Sequence, residues 1–363
     1  MTRLRQITMA GLAAVAIGGV ANSAQASETG TFENRLNGAT IGLPLGALPP
    51  PGLYTGLSTA YLGMLSGSSN TGASNGNQCA AVGPGAPGTR CAVLPAIAQA
   101  VPLLWVPGWS WWGATYSASV VEAFYVYTTC GANTFSAGPG GTAVEHFGNG
   151  GCGTGSPITS GGMVYTNLFV QPINLSWKLG GGWFVATAFS FTAPTGTKAG
   201  VGFTPNPDYW TFEPSIAFSY LGNNWVASAN FFYDINSKSE GTCCAAQPTI
   251  TSGNLLYGDY TALYKLGKWS LGPVGYMEIQ TTNDTGSGCN PAPGVSLCGH
   301  HNTGAAGGLV GYDFGPVDLQ VWVTDNFYAT NSPDGPGALH VWSRIGFKLW
   351  GFEQPVAPLV SKN

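Results

Sequence analysis

From Gly52 to Trp350 this chain repeats one pattern: short runs of alternating apolar and polar residues, joined by links that are by turns long and short. A period of two puts successive side chains on opposite faces of an extended strand. Twelve strands are predicted: Gly52–Met64, Ala98–Val106, Trp111–Thr129, Met163–Trp177, Trp183–Thr192, Tyr209–Tyr220, Trp225–Asp234, Asn254–Lys265, Trp269–Thr281, Thr303–Tyr312, Val317–Phe327 and Leu339–Trp350. In Val317–Asn326 the apolar face is Val317, Leu319, Val321 and Val323, opposite Asp318, Gln320, Trp322, Thr324 and Asn326. Leu339, Val341, Ile345, Phe347 and Leu349 likewise oppose His340, Arg344 and Lys348. The parity of Met163–Trp177 is mixed, and its faces stay open.

The links settle the topology. Leu65–Ile97, Cys130–Gly162, Ala193–Asp208, Ile235–Gly253, Asn283–Asn302 and Ala329–Ala338 are long. Between them fall the short links Pro107–Ser110, Lys178–Gly182, Leu221–Asn224, Leu266–Lys268 and Phe314-Gly315-Pro316. An even number of antiparallel strands, with short turns at one end and long loops at the other, describes an up-and-down β-barrel of the bacterial outer membrane. Both chain ends would then lie in the periplasm.

Tryptophan placement supports a bilayer. Of twelve tryptophans, Trp105, Trp109, Trp111, Trp112, Trp177, Trp183, Trp225 and Trp269 flank four short turns, and Trp350 closes the last strand. Indole rings are stable at the headgroup level, and barrel rims carry such girdles.

Composition agrees. Only 8% of residues are charged, far below a soluble domain. Yet the most apolar stretch after the first residues, Ala92–Val106, is broken by Pro95 and Pro102 and cannot be a spanning helix. A closed barrel is the remaining way to pair every backbone group in lipid. Arg3 and Arg5, the apolar run Ile7–Val20 and Ala24-Gln25-Ala26 read as a signal peptide over residues 1–26. Without it, the net charge is negative, which excludes a nucleic-acid partner. Residues 27–51 are then a periplasmic N-terminal segment able to plug the lumen, 52–350 the barrel, and 351–363 a periplasmic tail.

All eight cysteines fall in long links. An even number in an exported chain implies disulfides, and loop membership suggests Cys79–Cys91, Cys130–Cys152 and Cys289–Cys298. Cys243 and Cys244 are left without a preferred pairing. Cys289, Cys298, His300 and His301 lack the second C-x-x-C of a structural zinc site, so no metal is assigned. Gly148–Gly153 matches G-x-G-x-x-G, but in a glycine-rich loop without the strand and helix a dinucleotide needs. No cofactor and no catalytic constellation are read. Strand residues opposite the apolar faces, Glu213, Asp259, Tyr276, Glu278, Gln280, Asp318 and Arg344, are the candidates for the lumen wall and solute path.

Six stretches in order resemble one known group. They are Gly46–Tyr54; Gln171-Pro172 with Trp177; Ala193–Gly196; Asn206–Pro214; Tyr233–Asn236 with Ser252-Gly253 and Asp259-Tyr260; and Gly275–Gln280 with Asp284. Together they resemble the phenol degradation meta-pathway (MetA-pathway) family of outer-membrane transporters; the cysteine-rich loops depart from it. The resemblance implies a passive channel for small hydrophobic or aromatic compounds, with lipid and such solutes as partners. The alternatives are a barrel enzyme acting on lipids, which needs His340 beside a serine and a carboxylate, and a surface adhesion barrel with disulfide-tied loops.

Overall fold

The structure is a computed structural model that describes residues 33–62, 79–81, 89–91, 96–127, 131–136, 142–147, 163–197, 206–238, 251–286, 300–330 and 337–351. Twelve long strands form the wall. They are β1 (Gly52–Leu62), β2 (Ala96–Val106), β3 (Ala114–Tyr127), β4 (Leu168–Gly180), β5 (Trp183–Ala193) and β6 (Thr211–Gly222). The second half is β7 (Trp225–Asn236), β8 (Leu255–Leu266), β9 (Trp269–Gln280), β10 (Asn302–Asp313), β11 (Val317–Thr330) and β12 (Leu339–Gly351). Every strand pairs antiparallel with its sequence neighbours, and β1 pairs with β12 from Gly52↔Gly351 to Tyr61↔Val341, which closes the cylinder. No sheet edge is left open in the wall, as a bilayer requires. Among the described residues no helix is long and apolar enough to cross a membrane.

All twelve predicted strands are present, with two interruptions. Trp112 and Gly113, at φ 48° and 76°, turn the chain back between a two-residue strand at Ser110–Trp111 and β3. In the fourth strand Thr166 and Asn167 separate Met163–Tyr165 from β4. A bulge then lies at Pro172: Gln171 pairs with Ser119 and Asn174 with Ser117. One residue of β3, Ala118, therefore faces two of β4, Pro172 and Ile173, which flips the side-chain parity of β4 midway. Asn167, Phe169 and Gln171 point inward before the bulge, and Asn174 and Ser176 after it. That flip is why the alternation of this run gave no faces.

Most outward positions are apolar and exposed, among them Ile216, Phe218, Val310, Val321, Val323 and Ile345. Aromatic rims bound this belt. Trp109, Trp111, Trp112, Trp183, Trp225, Trp269, Phe314 and Trp350 are exposed at the short-turn end, and Tyr165, Trp210, Phe327 and Tyr328 at the other. Three successive hairpins repeat one device. Trp183, Trp225 and Trp269 each start a strand and lie 5.0, 5.1 and 4.7 Å from Tyr220, Tyr264 and Tyr312 across the ladder. Offset or edge-on ring pairs of this kind add about 0.5–1.5 kcal/mol each beyond the area they bury.

In the first long link, a small ladder pairs Cys79 opposite Cys91. The remaining cysteines, the signal peptide, residues 27–32 and the tail beyond Gly351 lie outside the described residues.

Candidate solute pathway

Residues 33–51 lie inside the barrel. The segment begins near the long-loop end, where Tyr209 and Ser252 donate hydroxyl hydrogens to Glu33 at 3.1 and 3.3 Å. It descends to the short-turn end, where the Tyr54 hydroxyl donates to the Pro50 carbonyl and β1 begins. The segment contains no strand or helix; turns pair some of its amides internally, as Ala39 with the Leu36 carbonyl and Leu43 with that of Thr40, and the other backbone groups need partners from the wall. The inward polar residues supply them. Asp259 accepts from the amides of Gly38 and Thr40 at 3.2 and 2.9 Å and from the Thr40 hydroxyl at 2.6 Å. Thr261 accepts from the Gly42 amide, and Ser219 from that of Gly46. Arg344 donates to the carbonyls of Ala39 and Ile41 at 2.5 and 2.6 Å, while Ser228 and Asn230 donate to that of Leu43.

Glycine lets the segment come this close. Gly42 sits at φ +81°, and a Cβ there would come within 2.4 Å of Gln320 Oε1. A Cβ on Gly46 would lie 2.8 Å from Ser219 Oγ.

Charges on the segment match those on the wall. The Arg35 guanidinium lies 3.0 Å from Glu213 Oε2 and 3.8 Å from Asp259, stacked 3.3 Å above the centre of the Phe232 ring. Glu278 pairs with His301 Nε2 at 2.5 Å and also accepts from Asn37. Burial disfavours the charged imidazole, but the Glu278 carboxylate and its hydrogen bond outweigh it and raise the His301 pKa to about 9. For Glu33, burial dominates over the nearby His301 charge and pushes the pKa up to about 7.

The predicted lumen residues therefore divide. Glu213, Asp259 and Glu278 are buried and engaged by Arg35, Thr40 and Asn37. Gln280 donates to Asp284 and accepts from the His301 amide, and the Tyr276 hydroxyl donates to Asn326 at 2.5 Å. Arg344 packs 4.8 Å over Trp322, which stacks on Trp342 at 5.4 Å. Asp318 stands apart, exposed at the short-turn mouth opposite Asp313. His340 faces the interior near the Tyr276 ring, not the lipid side that a lipid-cleaving site would need.

What remains open is the other half of the lumen. A cavity of about 1230 Å³ runs beside the segment. At the short-turn mouth it is lined by Lys265, Lys268 and Lys348, and at the long-loop end by Asn167, Thr192 and Asn206. Between these ends the β1–β4 wall contributes Gly56, Ser58, Ala98, Ala100, Pro102, Leu104, Ser119, Val121, Ala123 and Phe169, none charged. Leu36, Ala39, Leu43, Leu45 and Leu48 of the segment face the same space. The apolar inward face of β2 (Ala98, Ala100, Pro102 and Leu104) escaped sequence analysis. Both faces of that strand are apolar, so alternation carried no signal.

Comparison with known proteins fits this geometry. A family model described as the MetA-pathway of phenol degradation matches residues 93–341, well over half of the chain. The chain belongs to that family. The MetA-pathway match begins after β1, so it includes neither the first strand nor the internal segment. Among solved structures, an outer membrane channel from Pseudomonas putida F1 superposes with a TM-score of 0.57 at 13% identity, covering 83% of this chain and 96% of that one. The NanC porin gives a TM-score of 0.38 at 11% identity, covering 81% and 100%. Phospholipase A from the outer membrane of Escherichia coli gives 0.36 at 10%, covering 86% and 99%. No curated protein matches the chain in sequence. The first superposition establishes the closed antiparallel barrel of an outer-membrane channel. With its apolar belt and two aromatic rims, this member of the MetA-pathway family is an outer-membrane protein.

Proposed function

We propose that the protein is a passive outer-membrane channel for small uncharged apolar solutes, aromatic compounds in particular, and that it is not an enzyme. One observation carries the proposal: a cavity with lining residues near both ends of the barrel runs past an uncharged β1–β4 wall, while on its other side Glu213 and Arg344 are engaged by residues 33–51. An apolar solute loses little by leaving water for such a wall, whereas an ion finds few groups there to replace its hydration. The aromatic class comes from the family's link to phenol degradation. His340, placed in the interior, gives a lipid-cleaving mechanism no lipid-facing base. A disulfide between Cys79 and Cys91, opposed in their ladder, would tie down the first long loop. The test compares uptake of a labelled monoaromatic compound by cells with intact outer membranes, with and without the protein. Faster entry with the protein, and a reduction of that gain when Ala100→Trp narrows the cavity, is the expected result. Equal rates in all three strains would refute the proposal.

A further inference from the structure

We infer that residues 33–51 are a permanent wall of the pathway and not a stopper: the solute passes between this segment and β1–β4 while the segment stays docked, and its leucines share in selecting what passes. The inference rests on the channel proposed above and deepens it.

Three observations carry it. The bonds that hold the segment are spread along its whole length. Ser176 of β4 donates to the Gly46 carbonyl at 2.7 Å, and Gln320 of β11 to that of Gly42 at 3.2 Å, beside the Asp259 and Arg344 contacts already described. A stopper that swings aside must break all of these together, and Arg344 would lose both of its carbonyl partners within the segment. The fit is also close at the level of single atoms, since neither Gly42 nor Gly46 has room for a methyl group against Gln320 or Ser219. Most directly, a cavity of about 1230 Å³ exists with the segment in place. A segment that filled the lumen would leave no space of this size.

The charge pattern gives the wall a purpose. Undocked, the lumen would present Glu213, Asp259 and Glu278 to any passing solute; docked, Arg35, Thr40 and Asn37 occupy them. The segment thus covers part of an acidic lumen and adds Leu43 and Leu48 to the same cavity that Ala100 and Val121 line.

Single-channel recording in potassium chloride with the full chain tests this, using Leu48→Asp on the segment and Ala100→Asp on β2. If both line the open pore, each variant changes the unitary current and raises cation selectivity roughly twofold or more, because charges lining a pore set its selectivity. If the segment leaves when the pore opens, Ala100→Asp alters unitary current while Leu48→Asp alters only the fraction of time open, and the inference is overturned. Deleting residues 34–46 adds a second measurement. For a wall, the wild-type protein already conducts, and the deletion enlarges the current and makes it cation-selective. A silent wild type with a conducting deletion variant identifies a plug and overturns the inference alone. Silence in both also overturns the inference, while the uptake comparison decides the channel proposal separately.

Discussion

At the scale of single residues, the interior is specified by groups that meet across the barrel. Gly42 combines a left-handed backbone with contact against Gln320 and Leu309. Gly42→Ala is therefore expected to weaken segment docking by about 1–2 kcal/mol, because an L side chain at positive φ is strained even before the clash. Hydrogen exchange at the amides of residues 38–43 should quicken accordingly; unchanged protection would show that the segment has slack. Arg344 is a stronger case. Its guanidinium serves two segment carbonyls, Gln320 and Ser58, and covers the Trp322 ring. Arg344→Met keeps the stem and removes the donors, leaving the carbonyls of Ala39 and Ile41 short of a partner at about 1–3 kcal/mol. Protease cleavage near residues 36–42 in detergent should appear in this variant and not in the parent.

At the scale of elements, the wall was legible in the sequence and the segment was not. The apolar face of Val317–Val323 and the inward row of Trp322, Thr324 and Asn326 follow from alternation alone, because lipid and lumen demand opposite chemistry on the two faces. Alternation failed at β4, where the Pro172 bulge resets parity, and at β2, where both faces are apolar. Residues 33–51 have no period to read. Their partners, such as Ser219 for Gly46 and Arg344 for Ile41, lie far along the chain, and the segment offers mostly backbone groups, which carry no side-chain pattern. The polar wall residues were identifiable as inward; that they bind this segment was not. Their docking should depend on pH. Glu33 holds its proton up to about 7 when docked, against 4.5 ordinarily, so its contribution declines as pH rises from 4.5 to 7. His301, raised to about 9 chiefly by Glu278, pairs within the wall, so its titration bears on the wall more than on docking. Exchange at residues 33–40, corrected for its intrinsic pH dependence, should accelerate as pH rises from 4.5 to 7. Glu33→Gln should abolish that acceleration.

For the whole molecule, the decisive condition is that one solvent, lipid, wets the outside of every strand while the inside packs on protein and a narrow passage. Ile216 tests this directly, since it lies exposed midway along β6 and its neighbour Ala217 is buried inside. Ile216→Arg places a charge at mid-depth in hydrocarbon and should cost about 2–4 kcal/mol, whereas the same change at the interface costs only about 0–1. Leu266, exposed at the short-turn rim, provides the interfacial comparison through Leu266→Arg. Urea unfolding from phosphocholine vesicles measures both. A soluble barrel would tolerate arginine equally at two exposed positions, because water solvates both. Equal small losses would therefore remove the bilayer from the account. A large loss at Ile216 beside a small one at Leu266 fixes the depth of the apolar belt, and with it the height over which the β1–β4 passage must carry its solute.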